Sequence, residues 1–219
     1  MSSFPSSSFR FQPRLIALAL ATLAGSACGT LANGRAWGED ATLAPGWERL
    51  RWAAHRNAVD PWTWLLIAGA AVLQIDDMDQ RISRWARDET PVFGSQEDAE
   101  DASSTWRSAA GDLWLASLLA PPGGDAAGEW VWSRTKGVFV QVVAMEAAGG
   151  LTSTLKSSVG RERPDESDER SFPSGHTTSA FGSAVLGARN LEVSALPAAV
   201  RWPWAGALYG SAFATAWAR

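Results

Sequence analysis

A chain of 219 residues has room for one domain with a real core. With 46% hydrophobic and 19% charged residues and a mean hydropathy of -0.09, it is slightly more apolar than an average soluble protein, yet it is not built mostly of membrane spans. A net charge of -4 excludes the basic field that holds nucleic acid, and a single cysteine excludes an intrachain disulfide.

Residues 1–27 have the order of a secretory signal peptide: Arg10 and Arg14, an uncharged run over 15–27, then small residues. The run is short of the ~20 apolar residues a bilayer span needs. Gly25 and Ala27 suit a cut before Cys28, and Thr30 and Ala32 suit a later one. A cut before Cys28 would put it where bacterial lipoproteins carry their lipid, although Gly25 stands where that pattern has leucine. The expected location is therefore outside the cytoplasm, in the periplasm or cell envelope. Residues 28–59 read as an N-terminal linker region, and 60–219 as a helical domain.

In that domain Asp60 is placed as an N-cap with Pro61 at the first helical position, and the uncharged stretch 61–75 is short for a span. Pro91 and Gly94 break the pattern before the acidic cluster Glu97, Asp98, Glu100 and Asp101. With no histidine nearby, this cluster predicts a solvated loop or helix start and not a metal site. Residues 120–128 form a Pro- and Gly-rich loop. A long helix is predicted next, with Glu146 the only charge between Lys136 and Lys156, and with Gly149 and Gly150 expected to permit close helix packing. The last apolar stretch, 202–217, carries Pro203 near its start. Nothing alternates with period two and nothing repeats, so the fold class is all-α, a helical bundle. Thirteen tryptophans suit either a bilayer interface or the core and grooves of a soluble bundle. Because several apolar runs are too short to span, the sequence favours a body lying near or on a membrane.

The chemistry concentrates between residues 156 and 176. Lys156 is a point charge, and Arg163 is a planar fork that matches two phosphate oxygens. Pro164 disfavours helix at Arg163, which places the arginine at a turn. Pro173 and Ser174 open the next helix, with Ser174 or Gly175 at its cap, and the N–H groups of that first turn make an anion site. Gly175 lets the backbone approach an oxygen closely, and His176 can give a proton to a leaving oxygen. Ser179, Ala180 and Ser183 follow on the face of His176 and are small enough for another helix to pack tightly.

With Lys156, six residues, Arg163-Pro164, and then Pro173-Ser174-Gly175-His176 in that order, the sequence resembles the type 2 phosphatidic acid phosphatase and vanadium haloperoxidase superfamily over roughly residues 60–219. The resemblance implies a helical bundle that hydrolyses phosphate esters or anhydrides without a metal or other cofactor. It implies that Lys156 and Arg163 bind phosphate, that Ser174 and Gly175 bind its oxygens, and that His176 protonates the leaving group. The family's third motif has Ser-Arg or a variant, five residues, a nucleophilic histidine, and an aspartate four residues on. Here Ala218-Arg219 matches its beginning, which adds Arg219 to the phosphate ligands, and the motif's histidine is not among the 219 residues. The bundle is therefore expected to be incomplete at its C-terminus and inactive as it stands. The only other histidine, His55, has neither the spacing nor the context and reads as a surface or packing residue.

The function expected from the resemblance is an exported phosphatase of monoesters or of lipid or isoprenoid (pyro)phosphates, working through a phosphohistidine. The partner is then a phosphorylated small molecule or lipid, with membrane association weakly favoured by the apolar body. A vanadium-dependent haloperoxidase uses the same cradle, and a non-catalytic anion-binding envelope protein would need only the cradle.

Overall fold

The computed structural model describes residues 28–61, 63–65, 68, 72, 78–89, 92–159 and 172–218. Among these there are helices and no strand, as the sequence predicts: α1 (Trp47–Val59), α2 (Met78–Glu89), α3 (Gln96–Ser117), α4 (Ala127–Val159), α5 (Gly175–Glu192) and α6 (Ala198–Trp217). The leader, most of 61–77, and the loop holding Arg163 lie outside the described residues.

Helix starts follow from local chemistry. Ser95 caps α3: its hydroxyl accepts the Asp98 N–H at 3.0 Å and donates to the Asp98 carboxylate at 2.7 Å. The acidic cluster is thus a helix start, with Glu97 and Asp98 set against the positive end of the helix dipole. Ser174 caps α5 in the same way, accepting the Thr177 N–H at 3.3 Å. Helix α6 begins at Ala198 and runs through Pro203.

Helices α3, α5 and α6 pack on one another around a core of small side chains. Ala110, Ala180, Ala184 and Ala212 are fully buried together with Leu208. Small residues bring the axes close. A Cβ on Gly187 would lie 2.8 Å from Leu208 Cδ1, and one on Gly182 would lie 2.6 Å from Met145 Sδ. Ala180 and Ser183 are buried, as their position behind His176 predicts, but Gly149 and Gly150 are exposed, and a Cβ on either would meet no atom within 4 Å. The stripe that α4 turns toward α5 is Gln141, Met145 and Thr152, and the two glycines fall outside it.

Buried polar groups are tied across helices. The Trp114 indole donates to Gln141 at 2.8 Å, Gln141 donates to Asn190 at 2.7 Å, and Asn190 donates to Ser117 Oγ at 3.0 Å. These bonds join α3, α4 and α5, and they satisfy groups whose burial without partners would cost free energy.

Paired contacts give the helix directions. Gln141–Asn190, Met145–Gly182 and Thr152–Thr178 run in opposite order along α4 and α5, which are therefore antiparallel. Leu208 on Gly187 and Phe213 on Phe181 make α5 and α6 antiparallel. The Trp204 indole on the Leu113 carbonyl and Ser103 Oγ on the Thr215 carbonyl do the same for α3 and α6. One end of the bundle thus gathers the start of α3, the end of α4, the start of α5 and the end of α6.

At the other end, the region read as a linker is partly docked. Gly124 N–H donates to Gly29 O, Trp37 N–H to Pro122 O, and the Lys136 ammonium to Glu39 O. Arg134 is buried between the Trp37 and Trp130 rings and donates to the carbonyls of Leu118 and Pro121 just past α3. Helix α1 buries none of its residues, and His55 on it is exposed, as expected of a surface residue. Of the described helices, α4 is long and apolar enough to cross a membrane, over Ala127–Ser158, and it exposes Trp132, Phe139 and Val142.

Candidate phosphate site

Lys156 lies in the last turn of α4, half-buried, where a cation also complements the negative end of the helix dipole. Helix α5 supplies three of the predicted residues in succession: Ser174 at the cap, Gly175 at the first helical position and His176 at the second. The antiparallel register brings the two groups together. Thr152 lies one turn before Lys156 on its face of α4, and Thr178 lies one turn after Ser174 on α5. Their hydroxyls are 3.1 Å apart, and Lys156 and Ser174 each lie one turn further along in the same direction.

The end of α6 reaches the same level. Phe181 and Phe213 meet edge-to-face with ring centroids 5.1 Å apart. His176 lies five residues before Phe181 and Ala218 five after Phe213, about 7.5 Å further along each axis in the same direction. Ala218 is buried there. Lys156, Ser174, Gly175 and His176 are thus collected at one end of the bundle beside the end of α6, and Arg163 and Arg219 lie outside the described residues.

The first turn of α5 has the features of an oxyanion seat. The Ser174 hydroxyl accepts the Thr177 N–H, and the first ladder bond of the helix is Thr178 N–H to Ser174 O at 3.0 Å. The N–H of Gly175 precedes that ladder, at the positive end of the helix. Gly175 is exposed, and a Cβ there would meet no atom within 4 Å, so packing does not require glycine at this position. Without a Cβ, an oxygen can approach the backbone there closely. His176 is half-buried in the same turn and engaged within the protein.

The hydroxyls of Thr152 and Thr178 that set this geometry carry no motif; their sequence signal is a spacing of four from Lys156 and from Ser174. A shallow groove of about 430 Å³, lined by Trp130, Arg134, Val138 and Phe139 among others, lies along the first half of α4, away from the cradle. Among the described residues no three His, Cys, Asp or Glu side chains gather where they would hold a metal ion. No protein-family model, no curated protein and no solved structure matches the chain.

Proposed function

We propose that the end of the bundle where α4 meets α5 is a phosphate cradle of the type 2 phosphatidic acid phosphatase kind, in an exported, envelope-located protein. One observation supports this reading: Thr152, one turn before Lys156 on α4, bonds Thr178, one turn after the Ser174 cap of α5. In this reading Lys156 and the Gly175 N–H bind phosphate oxygens, Ser174 shapes the turn, and His176 gives its proton to the departing alkoxide. Arg163 adds a bidentate contact, and Arg219 a further charge. The substrate is a phosphate monoester or a lipid or isoprenoid (pyro)phosphate.

The nucleophile of such chemistry is a histidine that forms a phosphohistidine, and neither His55 nor His176 stands at its place in the motif order. The 219-residue chain therefore binds phosphate and vanadate while releasing negligible phosphate from esters. Titration with vanadate and phosphate in the presence of EDTA, alongside a phosphate-release assay on monoesters and phosphatidic acid, tests this. Saturable binding that Lys156→Gln weakens, without turnover, is the expected result. Robust phosphate release that His55→Ala abolishes would overturn the assignment of roles.

A further inference from the structure

Thr152 is buried in the interior of α4, where threonine is a poorer helix former than leucine or alanine and where valine would fill the same volume. Its hydroxyl lies 2.9 Å from the Ala148 carbonyl and 3.1 Å from Thr178 Oγ1, and Thr178 Oγ1 lies 3.0 Å from the Ser174 carbonyl. Two hydroxyls carry two protons. With the Thr178 proton on Ser174 O, the one Thr152 proton is shared between the Ala148 carbonyl and Thr178 Oγ1, and through the second of these a directed chain runs from α4 to the cap of α5. Each bond in such a chain polarises the next.

The chain sits one turn behind the cradle on both helices: Lys156 is four residues beyond Thr152, and Ser174 is four before Thr178. Thr152 is the described α4 side chain bonded to α5 nearest the site; the next tie, Gln141 to Asn190, is three turns away.

We infer that Thr152 and Thr178 are positioning residues for the cradle: the hydroxyl bridge sets the axial register of α4 against the start of α5 and so fixes the distance between the Lys156 ammonium and the anion seat at Gly175. The inference rests on the cradle reading. A register slip of a fraction of an ångström is tolerable to an apolar contact and damaging to a charge-assisted hydrogen bond, whose geometry is narrow. That difference explains why hydroxyls rather than methyls stand at both positions.

The test is a double-mutant cycle read by vanadate titration of the 219-residue chain, with thermal unfolding followed in parallel. Thr152→Val keeps the volume and removes the bridge, and it is expected to weaken vanadate binding about fivefold while the chain stays folded; Thr152→Ser restores it. In a Lys156→Gln background, Thr152→Val is expected to cost nothing further, because the group it positions is gone. This non-additivity is what a merely structural threonine would not produce. Equal affinity for wild type and Thr152→Val, or a Thr152→Val loss that persists in full in the Lys156→Gln background, overturns the positioning role and leaves the cradle standing. A wild-type chain that does not bind vanadate overturns the cradle itself, and this inference with it.

Discussion

At Gly38 the backbone is left-handed, with φ +84°, and a Cβ would lie 2.2 Å from the Ser133 carbonyl oxygen of α4. Either condition alone favours glycine, and together they exclude any other residue without undocking the segment. Gly38→Ala is expected to destabilise the chain by about 2–3 kcal/mol and to expose residues 28–41 to protease, measured by urea denaturation and limited proteolysis. Next to it, Glu39 accepts from the Arg35 guanidinium at 3.0 Å and from the Ala36 N–H at 3.0 Å. Its carboxyl is held below the ordinary value of 4.5, first by the Arg35 hydrogen bond and then by the Ala36 N–H. A depressed carboxyl contributes stability that is fully present above its ordinary pKa and lost as the pH falls through its folded value. The contribution of this pair to the loop should therefore be kept from neutral pH down to the ordinary carboxylate range and be lost only in stronger acid. Because the pair is exposed, high salt should shrink the effect. NMR titration of Glu39 in low and high salt checks both.

Between helices, burial of polar groups makes the strongest demands. Asn190 is fully buried on α5, and its amide meets Gln141 on α4 and Ser117 on α3. Asn190→Leu strands the Gln141 N–H inside the bundle and takes a donor from Ser117 Oγ, and it is expected to cost about 2–4 kcal/mol by urea denaturation. Adding Gln141→Leu should not return that loss, because it leaves the Trp114 indole N–H without its acceptor. This scale also shows what the sequence carries. The start of α5 is legible because it is written locally, in Pro173 and Ser174, and so is the acidic start of α3, in Ser95 and Asp98. The inward face of α4 is not. Gly149 and Gly150 announce a potential for close approach, but the face that turns inward is decided by where α5 offers partners, and those are Asn190, Gly182 and Thr178. The docking of 28–41 is illegible for another reason: its ties are largely to backbone carbonyls, such as Trp37 N–H to Pro122 O, and these have no side-chain signature. Arg134 is similar. Trp130 stands one turn before it on α4, but its two carbonyl partners and the Trp37 ring come from two other segments that only the fold brings to it.

Across the whole molecule, α4 works as a rod between two unlike ends. Its first turns hold the N-terminal segment through Arg134, Lys136 and the Gly38 contact, and its last turn carries Lys156 to the start of α5. Residues 134 and 156 are separated by about 33 Å of helix, far beyond the distance over which substitutions usually couple. The two ends are therefore expected to divide stability from anion binding. Burial draws down the pKa of the Arg134 guanidinium by desolvation, and the residue keeps its place because its fork satisfies the Leu118 and Pro121 carbonyls. Arg134→Met should leave those carbonyls unpaired and cost about 2–4 kcal/mol of stability. Vanadate affinity of the folded chain should then stay within about twofold of wild type, as expected for uncoupled sites. Lys156→Gln should do the reverse. Vanadate binding should fall by about tenfold or more, the loss of one charge-assisted contact, while the free energy of unfolding changes by no more than a half-buried polar substitution usually changes it, about 0.5 kcal/mol. Urea denaturation and vanadate titration of both variants and of the double variant decide the matter. Additive effects on each axis would establish two independent ends. An Arg134→Met chain that is folded yet binds vanadate as poorly as Lys156→Gln would show that α4 transmits a register shift along its whole length, and that the docked N-terminal segment sets the geometry of the cradle.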